Sequence, residues 1–84
     1  MPAMHEIELP LRGEHIPLDA LLKATGLAPS GGTAKQLIAA GEVQVDGQVE
    51  LRKTCKIRAG QRVTLGDQAV RVVADGEVGE VGEG

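Results

Sequence analysis

From Leu18 onward the apolar residues of this 84-residue chain change their spacing once, at Gly41. Before that point Leu18, Leu21 and Leu22, then Ala34, Leu37 and Ile38, recur at intervals of three and four, which places them on one face of an α-helix. After it Val43 and Val45 alternate with polar residues, Asp46-Gly47 offers the two positive-φ positions of a type I′ turn, and Val49 and Leu51 resume the alternation. Val63 and Leu65, a tight turn at Gly66-Asp67, and Val70, Val72 and Val73 repeat the pattern. A helix is expected from about Leu18 to Thr25, with Pro17 near its first turn and Gly26 as its stop. A second is expected from a Ser30 N-cap to Gly41, and the short Leu27-Ala28-Pro29 link makes the two a hairpin. Ahead of them Ile7 and Leu9 alternate with Glu6 and Glu8, so Met4 to Leu9 reads as a strand ended by Pro10. The expected fold is α+β: an N-terminal strand, a two-helix hairpin, then a small antiparallel sheet of four or five strands, with no internal repeat.

Such a chain makes one domain, and its core must be aliphatic, because it has no Phe, Tyr or Trp. Leu, Ile and Val supply 22 of its 84 residues, enough for a small core of modest stability. The missing rings exclude nucleobase stacking on aromatic platforms, aromatic cages for methylated cations, and tyrosine acid chemistry. Cys55 is the single cysteine, which excludes an intramolecular disulfide and fits a reducing cytoplasm. The first residues lack the basic-then-apolar pattern of a secretory signal, and no apolar run is long enough to span a membrane, so a soluble cytoplasmic protein is expected.

The formal charge of −3 hides an uneven distribution. All nine Lys and Arg lie between Leu11 and Ala74, against six acids there, while Glu6, Glu8, Asp75, Glu77, Glu80 and Glu83 lie outside. From Leu51 to Gly66 there are five cations and no acid. This stripe reads either as a solvated strand edge protected by charge or as a surface for a polyanion. Asp75 to Gly84 is a Gly/Glu/Val run that lacks an apolar face and is expected to be a disordered acidic tail.

Enzymatic readings fail for want of parts. His5 and His15 have no metal-ligand spacing with Cys55, and Cys55 lies between Lys53 and Lys56, neither of which is a general base at neutral pH. No metal or cofactor is expected. Ser30-Gly31-Gly32-Thr33-Ala34-Lys35 lacks the spacing of a nucleotide-hydrolysing phosphate loop. It does place two residues without side chains in the first turn of a helix, where bare N–H groups attract phosphate, with Lys35 one turn on. The alternative role for Gly31 and Gly32 is to allow close helix packing.

The run Leu18-Asp19-Ala20-Leu21-Leu22-Lys23-Ala24-Thr25-Gly26, then Ser30, then Ala34-Lys35-Gln36-Leu37-Ile38-Ala39-Ala40-Gly41-Glu42-Val43-Gln44-Val45-Asp46-Gly47, resembles the RNA-binding domain first described in small-subunit ribosomal protein S-four, the αL motif. Ser30-Gly31-Gly32, Ala34-Lys35, Val49 to Ile57 and Ala59-Gly60 are further similar to stand-alone bacterial proteins of the YbcJ type. The resemblance spans about Ile16 to Val73, within one domain of residues 1–74. It implies non-catalytic binding of structured RNA, ribosomal or tRNA-like, through the second helix, its N-terminus and the following basic loop. Ser30, Lys35, Arg52, Lys53 and Lys56 fall on matching motif positions. Many members carry Arg at the positions of Gly31 and Lys35 and an acid at that of Gln61. The residues expected to meet RNA are Lys35, Arg52, Lys53, Lys56 and Arg58 through phosphates, with Ser30, Gly31 and Gly32 presenting backbone donors. A monomer associated with structured RNA, and through it with ribosomal particles, is the expected state. The competing reading is a small protein-interaction module that meets an acidic protein.

Overall fold

The computed structural model describes residues 5–74. Strand β1 (His5–Leu11) and a two-residue strand β2 (Ile16–Pro17) precede helices α1 (Leu18–Thr25) and α2 (Gly31–Ala39). Strands β3 (Val43–Val45), β4 (Gln48–Val49), β5 (Lys56–Ile57), β6 (Arg62–Leu65) and β7 (Gln68–Ala74) follow. The α+β reading and both helices stand as expected. The tail reading falls on residues 75–84, outside the described residues.

The helix boundaries have local causes. Ser30 caps α2, its Oγ accepting from the N–H of Thr33 at 3.2 Å. At the other end Gly41 adopts φ 79°, its N–H donates to the Ile38 carbonyl and that of Glu42 to the Leu37 carbonyl, the paired bonds of a Schellman stop. Leu18, Leu21 and Leu22 of α1 pack with Ala34 and Ile38 of α2, as the helical spacing requires.

Five strands form one sheet in the order β1-β7-β6-β3-β4. The β3–β4 hairpin turns at Asp46 (φ 53°) and Gly47 (φ 86°), both positive as a type I′ turn demands. Leu51, expected to continue the second strand, lies outside it and is exposed. The N-terminal strand departs from the sequence reading in two ways. It joins the sheet, lying parallel to β7, so the sheet is mixed rather than purely antiparallel. It also runs through Pro10 to the buried Leu11, because β1 is an edge strand and needs ladder donors on one side only.

The core is wholly aliphatic: Leu11, the helix leucines, Ala28, Ala34 and Ile38 meet Val43, Ile57, Val63, Val70 and Val72. Ile57 comes from the basic segment that sequence periodicity left without structure. It is completely buried, and β5 pairs antiparallel with β2 as a separate two-stranded sheet. Ile57→Ala should therefore destabilise the domain by about 2 to 5 kcal/mol, the cost of a large-to-small change in a packed core, measured by chemical denaturation.

Candidate functional site

The segment between β4 and β6 carries four of the nine cations, and its backbone is fixed by α1. Pro17 at the start of α1 offers no side-chain cap. Instead the N–H of Leu18 donates to the Cys55 carbonyl at 2.9 Å, and that of Asp19 to the Lys53 carbonyl at 3.0 Å. Two donors that a helix start leaves unpaired are thus satisfied by the loop, which is held against the helix.

Glu50 orders the entrance to this loop. Its own N–H donates to the Val43 carbonyl, and its carboxylate accepts from the Arg52 N–H at 2.9 Å, from Arg52 Nε at 2.9 Å and from Arg52 Nη2 at 3.4 Å. The hydrogen bonds from the Arg52 side chain and backbone hold the Glu50 carboxyl down at about 2, from an ordinary value of 4.5. Glu50 raises the Arg52 pKa in return. The Arg52 side chain remains 77% exposed while that of Glu50 is 17% exposed, so the pair tucks the acid in and presents the base. Burial pushes the half-buried Cys55 thiol up, and the Glu50 carboxylate adds to this against the opposing pull of Arg52. The thiolate is disfavoured, which argues against a nucleophilic role.

Across from the loop stands α2. Lys35, Gln36 and Ala39 of the helix and residues 51–54 of the loop enclose a groove of about 540 Å³. A neighbouring depression of about 380 Å³ is lined by Arg52, Thr54, Cys55 and Lys56. Of the residues singled out from sequence, Lys35, Arg52, Lys53 and Lys56 are therefore brought onto one continuous face. Ser30, Gly31, Gly32 and Arg58 do not line it. Gly31 and Gly32 open α2 one turn before Lys35; no heavy atom lies within 4 Å of a Cβ built at Gly31, and only Ser30 Oγ, at 3.9 Å, approaches one at Gly32. Close packing thus does not account for these glycines, and their N–H groups find no acceptor among the described residues. Arg58 lies further along the loop, its N–H donating to Gln61 Oε1 at 2.8 Å.

Not all five cations of the stripe are equally available. Arg52 is engaged by Glu50, and Arg62 pairs with Glu6 at 3.2 Å. No acid side chain among the described residues pairs with Lys35, Lys53, Lys56 or Arg58. Sequence reasoning missed Glu50, which lies one residue outside the acid-free run, and Leu51, whose place in the groove conflicts with its expected place in a strand. The spacing of Glu50 and Arg52, with one residue between, was the available signal for the first. Among the described residues no group of His, Cys, Asp and Glu is arranged to hold a metal ion, and no helix is long and apolar enough to cross a membrane.

The depressed carboxyl fixes the sign of a pH effect. The Glu50–Arg52 clamp contributes fully above the unfolded value of 4.5, and its contribution is lost as pH falls through about 2. A side-chain carbonyl NMR titration should give Glu50 a midpoint near 2, moving back toward 4.5 in Arg52→Ala.

Known proteins share this fold. The family model of the S4 domain matches residues 9–73. The YbcJ protein of Escherichia coli (strain K12) is 53% identical over 60 residues, covering 71% of this chain and 86% of that protein, and YbcJ of Shigella flexneri matches to the same extent. The solution structure of Escherichia coli YbcJ, described as revealing an αL motif involved in RNA-binding, superposes with a TM-score of 0.62 at 47% identity, over 88% of this chain and 92% of that one. With the matched family model spanning most of its length and the two helices and sheet of an αL structure, this chain belongs to the S4 domain family.

Proposed function

We propose that this protein binds structured RNA, ribosomal or tRNA-like, through the face formed by α2 and the loop from Leu51 to Lys56, without catalysing a reaction. The observation that carries this reading is the convergence of Lys35 from the helix with Arg52 and Lys53 from the loop on one groove. Three cations from two elements, held by a backbone that α1 fixes, match the spaced phosphates of a folded RNA better than a single point charge. Lys56 extends the face, Arg58 follows two residues on in the chain, and the bare N–H groups of Gly31 and Gly32 behind the Ser30 cap offer further donors to a phosphate. With no aromatic ring in the chain, recognition runs through phosphates, 2′-hydroxyls and shape. The S4 family membership and the RNA-binding αL motif described for YbcJ support the same reading. One chain carries the whole face, so a monomer suffices, and a ribosomal particle is the natural source of such an RNA.

The test is affinity for a ribosomal RNA fragment across a salt series, with duplex DNA as comparator. Three to five phosphate contacts predict a slope of log affinity against log salt of roughly −2 to −4, with RNA preferred. Lys53→Glu combined with Lys56→Glu leaves the Glu50–Arg52 pair intact and should abolish binding; a folded double variant that binds unchanged would refute the assignment of this face. A natural complex that survives ribonuclease would point instead to an acidic protein partner.

A further inference from the structure

Phosphate contacts leave one residue of the face unexplained. Leu51 is 61% exposed, the most exposed of the large hydrophobic side chains described, yet it lines the same groove as Lys35, Arg52 and Lys53. It is not a loose loop residue. Its Cδ2 lies 3.9 Å from where a Cβ on Gly41 would stand, and Glu50 beside it is tied to Val43 and Arg52. Ala39 adds a methyl group from α2. The groove lining therefore combines apolar Leu51 and Ala39 with cationic Lys35, Arg52 and Lys53. A phosphate gains nothing from the apolar residues and loses water beside them. Exposed leucine held in place at a site of opposite character calls for a ligand that carries both an anion and an apolar face.

A nucleotide is such a ligand: its phosphates are anionic, and the faces of its base are apolar. In a continuous A-form duplex the base faces are stacked inside, and only an unpaired nucleotide can turn one outward. The groove volume of about 540 Å³ falls within the range of small-ligand sites, about 300 to 1,000 Å³. We propose that the groove between α2 and loop residues 51–54 receives one unpaired nucleotide of the RNA, with its base against Leu51 and Ala39 and its flanking phosphates on Lys35, Arg52 and Lys53. This rests on the RNA-binding reading above and narrows it to RNAs that interrupt a helix.

The experiment titrates the full chain against two RNA hairpins of identical stem, one containing a single unpaired nucleotide, over a series of salt concentrations. The interrupted hairpin should bind about five- to tenfold more tightly, the gain from partial burial of one leucine. Leu51→Ala should abolish that preference while leaving the salt slope unchanged. Val49→Ala removes an exposed apolar side chain outside the groove and should keep the preference. Circular dichroism and the thermal midpoint establish that each variant is folded. Equal affinity of the unaltered protein for the two hairpins, retention of the preference in Leu51→Ala, or an equal loss on both RNAs in that variant would overturn the proposal. Failure to bind either hairpin at low salt would remove the RNA-binding reading as well, which separates the two conclusions.

Discussion

The N-terminus of α1 is the joint on which the candidate site depends. Proline at its cap position brings no side-chain acceptor, so the first N–H groups of the helix must find partners elsewhere, and they find them in the carbonyls of Lys53 and Cys55. A helix requirement is thereby converted into a loop constraint. The cations of the loop sit on a backbone anchored to the first turn of α1, and Ile57 fastens the same segment into the core immediately afterwards.

Two other attachments complete this frame. At the loop entrance Glu50 bonds back to β3 and forward to Arg52. At the exit Asp46 of the hairpin turn accepts from the Arg62 N–H and from Gln61 Nε2, while Gln61 Oε1 accepts from the Arg58 N–H. Gln61 serves as donor and acceptor at once. An ionised acid at this position could only accept and would face Asp46 with like charge. A face whose backbone is fixed at entrance, middle and exit has little conformational freedom left to lose on meeting a ligand. The exposed ion pairs on the sheet, Arg62 with Glu6 and Arg71 with Glu8, contribute little to stability in water.

Local rules made most of the architecture legible. Spacings of three and four fixed the helix faces, Ser30 and Gly41 marked the limits of α2, and Asp46-Gly47 specified its turn through backbone conformation alone. What stayed hidden was non-local. The pairing of β2 with β5 involves only two residues on each side, too few for periodicity to register, and Pro10 looked like a stop because its edge position depends on a strand more than sixty residues away. The site followed the same division. Lys35, Arg52, Lys53 and Lys56 were identifiable by charge and motif position, whereas Glu50 and Leu51 acquire meaning only once the loop is folded against α2. Assigning Leu51 to a strand was reasonable from alternation; a hairpin that stops at Val49 releases it into the groove.

The parallel pairing of β1 with β7 carries a kinetic consequence. Its partners stand 63 residues apart in sequence, while the helix hairpin and the β3–β4 and β6–β7 turns close over short distances. Loop closure makes such a distant pairing slow, and on the ribosome β1 emerges first but has no partner until β7 leaves the exit tunnel. The helices and the basic loop can assemble during synthesis, whereas the edge of the sheet waits for its last strand. Shortening the chain at β7 would leave β1 without this ladder, so the two ends of the described residues share one folding event.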